Sequence, residues 1–306
     1  MPVSLRNEGE ANMVVSDNMR EQILKEHIVP YEKRLVAFLD LQGFKDDIIR
    51  NCSAEAVGSL FGKFNSLKKM LENDDSNLQV TIISDSIVVS VTLDKPENLI
   101  YFFNACSFFA KPRIGTLFVA VRGGIAYGDL HHKDNIVFGP ALVEAYDISE
   151  GKQKSDYLHL RMPAKVYNLI QDVPKFGKFG AAVLFPESEK KKYYIFNPWL
   201  FHLAVLCMDE PPSSLVAYDD IILRLKEHVA WCIMNIAKHR ESSTYICAKY
   251  EELLIQSLWT FTTIKDVYYR HLSNSSKKIV DFYSDSQKVI PFVHQLEQTF
   301  KDDNII

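Results

Sequence analysis

The sequence predicts an α+β fold in which an antiparallel β-sheet carries packed helices and is followed by a helical extension. Short runs rich in β-branched residues alternate with stretches whose apolar residues recur every three to four positions. Beyond Pro198 the character changes, and long helical patterns occupy the rest of the chain. With 306 residues, 47% of them apolar, the chain can bury a full core.

Periodicity, turn residues and helix boundaries place the elements of the first half. Ser84, Asp85 and Ser86 form a tight turn between two β-branched runs, which predicts a hairpin. Pro140 and Gly151 stand where a helix favours them, at its start and just past its end. In chain order the predicted elements are an arm with a short helix (1–33), a strand (34–42), a helix (53–72), two strands (78–83 and 87–92), a helix (96–110), two strands (116–127 and 135–138) and a helix (140–151). This order describes a ferredoxin-like or palm-like antiparallel sheet with helices on one face.

The predicted sheet domain spans residues 34–198, because a hairpin candidate, 181–185 against 193–196, extends it. Residues 199–306 are predicted to be a helical extension, and its helical patterns cover 213–238, 244–271 and 277–300. The extension either covers the sheet or forms a homodimer surface.

Two conspicuous groups in the middle of the chain are assigned structural roles. Gly123 and Gly124 are too few for a phosphate-binding fingerprint, so they predict a bulge or a close approach of strands. His131 and His132 stand in a polar segment, which predicts a hairpin loop rather than a metal site.

Charge and composition exclude several classes of function. The net charge is −4, from 35 basic and 39 acidic residues, which does not favour direct binding to nucleic acid or to an anionic membrane. Five cysteines without a C-x-x-C pair indicate neither a disulfide framework nor a zinc site. No secretory signal or membrane-spanning run is evident, so a cytoplasmic location is expected.

Two lone carboxylates interrupt apolar strands. Asp40 lies near the end of the first strand, and Asp85 lies at the tip of the following hairpin. A carboxylate in such a place is costly to desolvate unless a cation meets it, and Mg²⁺ or Mn²⁺ prefers hard oxygen ligands. We therefore predict that Asp40 and Asp85 hold two divalent ions for phosphoryl transfer. The structural alternative is a helix cap or a turn.

Four segments in order resemble the class III nucleotidyl cyclases. FLDLQGF is similar to the first metal-binding strand of that family, and IISDSIVVSV is similar to its second metal motif. VRGGIAYGDL resembles the Arg-x-Gly-Ile strand that follows, and VFGPALVEAYDISE stands in the place of the helix that carries late catalytic residues. The resemblance covers about residues 34–150.

This resemblance implies a metal-dependent cyclase that works as a homodimer. Asp40 and Asp85 would bind two Mg²⁺ or Mn²⁺ ions, and the carbonyl of Leu41 would add a ligand. The backbone from Leu41 through Gly43 to Phe44 would cradle the triphosphate of a nucleoside triphosphate. Members of the family form head-to-tail dimers with active sites built from both chains.

The sequence departs from the family at the positions that read the base and orient the ribose. Thr81 stands where purine cyclases commonly have a lysine, and Ile136 stands at their base-reading aspartate. Val143 and Asp147 replace the late asparagine and arginine. The missing positive charge would come from another cation, and the candidates are Arg122, Lys152, Lys154, Arg161 and Lys165. For Arg122 a structural role beneath the strand is the alternative.

The late segment resembles the bacterial pyrimidine cyclases of antiphage (Pycsar) signalling systems. GPALVEAYDISE and the following residues 161–165 carry this resemblance, which implies cyclic UMP or cyclic CMP as the product. UTP is the expected substrate, and a separate effector would read the product. The alternatives are a cytidylate or purine cyclase, or an inactive nucleotide-sensing dimerisation module.

Overall fold

The computed structural model describes residues 30–42, 77–110, 113–114, 117–118, 120–153, 158–173, 183–188, 192–206 and 216–285, and single positions at 58, 62, 65, 69, 176, 180 and 190. The chain divides into two compact units, Met1–Tyr31 and Glu32–Ile306. The boundaries predicted at residues 33 and 198 stay predictions. None of the helices in these ranges is long and apolar enough to cross a membrane.

One large sheet dominates the second unit. The strands are β1 (Glu32–Gln42), β2 (Gln79–Ile83), β3 (Ser86–Thr92), β4 (Arg113–Ile114), β5 (Leu117–Phe118), β6 (Ala120–Lys133), β7 (Ile136–Phe138), β8 (Leu160–Pro163), β9 (Leu184–Pro186) and β10 (Tyr193–Phe196). The sheet has the order β2-β3-β1-β6-β8-β10-β9, β7 pairs with β6, and β4 and β5 form a separate pair. Its described pairs are antiparallel except β6 with β8, which is parallel. The sheet is therefore mixed at this one junction.

Helices occur between the strands and account for most of the described residues after Pro198. They are α1 (Glu97–Ala110), α2 (Pro140–Ser149), α3 (Ala164–Gln171), α4 (Pro198–Leu206), α5 (Val216–His239), α6 (Thr244–Tyr268) and α7 (Asn274–Ser284), and a 3₁₀ turn (Tyr269–His271) follows α6. The predicted α+β class, a sheet domain with a C-terminal helical extension, is confirmed.

The central strand β1 is buried on both faces. Leu35 and Ala37 belong to the large core that includes Phe102 of α1, whereas Val36 packs with Ala141 of α2 on the opposite face. This two-sided burial explains why the apolar run of β1 does not alternate with polar residues. The expectation that helices cover one face only is wrong, because α2 covers the second face.

The C-terminal helices share the main core of the sheet. Buried residues of α5 and α6, among them Tyr218 and Phe261, belong to the same apolar cluster as Leu35 of β1. Val280 of α7 also belongs to it. The extension therefore contributes to covering the sheet, one of the two predicted roles.

Several predicted elements are confirmed and one is wrong. The β2–β3 hairpin forms as predicted. Of the helix predicted over 53–72, the four positions that the structure describes are helical and exposed, while its apolar face lies outside the described residues. The predicted loop at His131 and His132 is instead the end of β6, because β6 and β7 continue to pair up to a tight turn at Asp134 and Asn135.

Candidate active site

Asp40 and Asp85 lie on adjoining parts of the sheet. Asp40 stands opposite Ser86 of β3 and opposite Arg122 of β6. Asp85 occupies the turn directly before Ser86, and its carbonyl accepts a hydrogen bond of 2.8 Å from the amide of Leu41. This bond ties the end of β1 to the tip of the hairpin, so Asp40 and Asp85, both half-buried, lie at the same end of these strands.

The carboxyl of Asp40 titrates far from its ordinary range. Burial raises its pKa from 3.8 to about 7, and Glu150 adds to the rise through a hydrogen bond and through charge repulsion. Arg122 lowers the pKa, while the negative charge of Asp85 raises it further. A carboxylate that is partly desolvated and repelled by two other carboxylates favours a bound cation.

Glu150 is a site residue that the sequence analysis did not single out. Arg122 Nε donates to Glu150 Oε1 at 2.6 Å, Arg122 Nη2 contacts the same oxygen, and Nη2 lies 3.5 Å from Asp40 Oδ2. The guanidinium is buried, and its shortest contacts are with Glu150. A sequence signal existed, because Glu150 caps the C-terminus of α2, where the helix dipole disfavours a carboxylate unless a cation is near.

The raised pKa of Asp40 predicts a pH-dependent stability. Because the folded-state pKa of about 7 exceeds the ordinary 3.8, the stabilising contribution is complete below pH 3.8 and is lost as the pH rises through 7. We expect wild type to lose stability relative to Asp40→Asn between pH 5 and pH 8 in metal-free buffer. Urea unfolding of both proteins at each pH measures this difference. A difference that does not change with pH would contradict the assignment.

The glycines of β6 let α2 approach the sheet closely. A Cβ placed on Gly124 would lie 2.1 Å from the carbonyl oxygen of Ala145 and 2.7 Å from Cβ of Ile148. A Cβ on Gly123 would lie 2.9 Å from the carbonyl oxygen of Phe38 in β1. The predicted close approach of strands occurs at Gly123, whereas the close neighbour of Gly124 is a helix. The contact at Gly124 brings the end of α2, and hence Glu150, against Arg122.

A buried polar cluster lies at the other end of β6. Arg34 Nε donates to Ser90 Oγ at 2.9 Å, and His132 lies 2.8 Å from Ser90 through Nδ1 and 2.9 Å from Thr81 through Nε2. Each ring nitrogen of His132 is thus hydrogen-bonded to one of these two hydroxyl groups. His132 is therefore a structural residue that joins Thr81 to the hairpin carrying Ile136.

The structure separates the remaining predicted site residues into two groups. Leu41 adjoins Asp40, and its buried side chain belongs to the main core. Ile136 is exposed on β7, at the end of β6 opposite to Arg122. Gly43 and Phe44 lie outside the described residues. Within one chain, Ile136 is thus remote from the Asp40 carboxylate.

The other candidate cations are mostly engaged elsewhere. Arg161 donates to the carbonyl of Gln153 at 2.6 Å and to Glu187 at 2.9 Å, and it is buried. Lys165 pairs with Glu144 at 2.7 Å. Lys152 is exposed, and Lys154 lies outside the described residues. Arg122 is the candidate cation that the structure places against Asp40.

The donor set suits a hard divalent cation. In the part of the chain that the structure describes, no cluster of three or more His, Cys, Asp or Glu side chains could hold a metal ion. Asp40, Asp85 and the Leu41 carbonyl would supply three oxygen ligands, and Mg²⁺ commonly completes its coordination with substrate phosphates and water. The raised pKa of Asp40 fits this arrangement, since a bound cation would relieve the repulsion.

Comparisons with known proteins find similarity only among solved structures. Neither a family model nor a curated protein matches the sequence. The adenylyl cyclase CyaB from P. aeruginosa is 14% identical over 55% of this chain and 96% of its own, with a TM-score of 0.36. The guanylate cyclase domain of RhGC from Catenaria anguillulae, in complex with GTP, is 16% identical over 55% and 98%, with a TM-score of 0.38. A bacterial light-regulated adenylyl cyclase is 12% identical over 63% and 67%, with a TM-score of 0.37. Similarity at this level identifies no activity, which must be inferred from the residues of the site.

Proposed function

We propose that this protein is a metal-dependent nucleotidyl cyclase that converts a pyrimidine nucleoside triphosphate into a 3′,5′-cyclic mononucleotide. UTP is the favoured substrate. The observation that carries the proposal is the hydrogen bond from the Leu41 amide to the Asp85 carbonyl, which holds Asp40 and Asp85 at the same end of neighbouring strands, beside Arg122. The order of the four segments that resemble class III cyclases supports it. The cyclic product would act as an antiphage signal read by a separate effector.

The reaction requires one bond to form and one to break. The ribose 3′-hydroxyl loses its proton to water and its oxygen attacks the α-phosphorus, and the bond from the α-phosphorus to the bridging oxygen of the β-phosphate breaks, releasing pyrophosphate. Two Mg²⁺ or Mn²⁺ ions, when bound, would lower the charge of the triphosphate and favour the 3′-alkoxide. Asp40 and Asp85 would hold them, and the backbone from Leu41 to Phe44 would position the phosphates.

Arg122 and Glu150 have different roles in this proposal. Arg122 forms an ion pair with the Asp40 carboxylate, which it would orient as a metal ligand. Its positive charge would also balance that of Asp40 when no metal ion is bound. Glu150 holds the guanidinium in place through Nε and Nη2. Arg122 then remains the candidate for stabilising the charge that develops on the phosphate in the transition state.

The positions that would read the base favour a site made from two chains. Ile136 lies at the opposite end of β6 from Arg122, so one chain alone does not bring it to Asp40. Strand β7 and helix α2 carry exposed apolar side chains, which are those of Ile136, Phe138, Val143 and Tyr146. A head-to-tail homodimer would cover these side chains and place Thr81 and Ile136 of one chain near the carboxylates of its partner.

The residues at the base positions support a pyrimidine over a purine. Thr81 is buried and bonded to His132, and Ile136 offers no polar atom in its side chain. Neither side chain supplies the charged contact that purine cyclases commonly use there. The substrate base would then be bound by a rebuilt pocket, and a cytidylate or purine cyclase remains the alternative of the same class.

Product identity tests the proposal. The protein is incubated separately with ATP, GTP, CTP and UTP in Mn²⁺ or Mg²⁺, and products are identified by mass spectrometry. We expect cyclic UMP from UTP and at least about tenfold less cyclic product from each other nucleotide, which is a discrimination of about 1.4 kcal/mol. Cyclic AMP or cyclic GMP as the main product would replace the pyrimidine assignment, and the absence of any cyclic product would refute the enzyme.

An inactive nucleotide-sensing module is the second candidate. Val143, which is exposed, and the acidic Asp147 occupy the positions of the family's late asparagine and arginine. A sensing module would bind a nucleotide or dimerise without turnover. Nucleotide binding by calorimetry together with no product in the same assay would favour this second candidate.

A further inference from the structure

A cavity lies between the C-terminal helices and the β8–β10 side of the sheet, away from Asp40. Its volume is about 40 Å³. The residues that line it come from the end of α1, the start of β8, the β10–α4 junction, α5 and α6. They are Ala110, Leu158, His159, Leu160, Phe196, Asn197, Pro198, Trp199, His228, Leu253, Gln256, Ser257 and Thr260. Nothing in the proposed cyclase chemistry uses this cavity.

His228 of α5 lines the cavity and has one ring nitrogen without a partner. Ser257 donates its hydroxyl proton to the carbonyl of Leu253 at 2.8 Å, so it can only accept from His228 Nδ1, which lies 3.3 Å away. The proton of the neutral ring is therefore on Nδ1, and Nε2 carries a lone pair. Burial lowers the pKa of His228 to about 3, which keeps the ring neutral.

This Nε2 has no hydrogen-bond partner among the described residues, although His228 is only 5% exposed. An unpaired buried acceptor is unfavourable by itself, and a native structure commonly satisfies it with water or a ligand. One residue of the cavity lining thus has a polar atom whose hydrogen bond is not satisfied.

The neighbouring polar groups of the lining already bond to one another. Thr260 Oγ1 accepts from Asn197 Nδ2 at 2.7 Å and donates to the carbonyl of Gln256 at 2.7 Å. Gln256 Nε2 lies 3.2 Å from His159 Nδ1, and His159 Nε2 lies 3.3 Å from Glu187. Because no acidic or basic side chain other than histidine lines the cavity, it favours a neutral occupant over an ion.

We propose that this cavity binds a small neutral molecule whose N–H or O–H group donates a hydrogen bond to His228 Nε2. The volume corresponds to roughly three water molecules, at 10–15 Å³ each, or to one molecule of about four non-hydrogen atoms. Trp199, Leu160 and Leu253 supply an apolar wall for its carbon atoms. The ligand class is a small primary amide or alcohol.

Acetamide and acetone form a matched pair of probes, since acetone replaces the donating NH₂ of acetamide by a methyl group at nearly the same shape. Saturation-transfer NMR follows the methyl protons of each probe with the full-length protein, in the absence of nucleotide. We expect saturable binding of acetamide and at least about tenfold weaker binding of acetone, because acetone leaves His228 Nε2 unpaired. Equal affinity for both probes, or no saturable binding of acetamide, would overturn the proposal.

The variant His228→Phe removes the acceptor and keeps a ring of similar size. It should abolish the preference for acetamide, whereas His239→Phe, at the end of α5 and outside the lining, should leave it unchanged. A preference retained in His228→Phe would reject His228 as the acceptor. The comparison of the two probes on wild type stands even where a variant does not fold, and its result does not depend on whether the protein is a cyclase.

Discussion

Asp40→Asn is expected to lower formation of the cyclic product by at least about 10³-fold while the protein remains folded. Loss of a carboxylate ligand removes several kcal/mol of transition-state stabilisation by the metal ions. The fold should survive, because asparagine has nearly the same size and the native carboxyl is already penalised by burial. Product formation with each nucleotide measures the activity, and circular dichroism of the same preparation shows whether the variant is folded. Asp85→Asn should behave in the same way.

Asp129→Asn is the matched control for this prediction. Asp129 also lies on the sheet, in β6, but its side chain is 45% exposed and pairs with Lys33 at 2.9 Å. An exposed ion pair of this kind contributes little to stability, so activity and folding should stay within about twofold of wild type. If Asp40→Asn kept more than a tenth of the wild-type activity, Asp40 would not be a metal ligand.

Gly124→Ala is expected to destabilise the protein by about 3 kcal/mol. The added methyl group would lie 2.1 Å from the carbonyl oxygen of Ala145, which is backbone and cannot rotate away as a side chain does. Helix α2 must therefore shift off the sheet, and Glu150 would move away from Arg122. Urea unfolding at constant slope measures the change, and cyclase activity should fall with it.

Gly58→Ala is the control for Gly124→Ala and is expected to change the stability in the opposite direction. Gly58 is helical and exposed, and a Cβ there would meet nothing within 4 Å. Alanine in an exposed helix position should stabilise the protein by about 0.5–1 kcal/mol, because the unfolded chain loses backbone freedom. A Gly124→Ala protein as stable as wild type would mean that α2 does not press against β6.

Glu150 connects these two predictions. It reaches Arg122 from the end of α2, and the position of α2 depends on the missing side chain of Gly124. It also raises the pKa of Asp40, so a shift of α2 would lower that pKa. The pKa of the Asp40 carboxyl thus depends on how closely α2 packs against the sheet.

The strands that carry the two carboxylates were predictable because their signals are local. The apolar run before Asp40 and the two β-branched runs around Asp85 have the length and composition of strands, and a tight turn separates the latter two. These signals are contained in the segments themselves. The helix at Pro140 follows from a local rule as well. Features that depend only on residues close together in the sequence can therefore be predicted from it.

His132 shows where local rules fail. Its polar surroundings in the sequence predict a loop, yet it is buried against Ser90 and Thr81, which lie on strands far away along the chain. Burial of a histidine is decided by the partners that satisfy its two nitrogens. Those partners become neighbours only when the sheet has formed.

The sequence by itself determined the mixed class of the fold, the hairpin, and the two acidic residues that end apolar strands. Only the tertiary structure decided that Arg122 stands opposite Asp40, that Glu150 holds it, and that α2 covers the second face of the sheet. The reason is that strand order, register and helix placement depend on contacts between distant segments, and a periodic pattern within one segment contains no record of its partner.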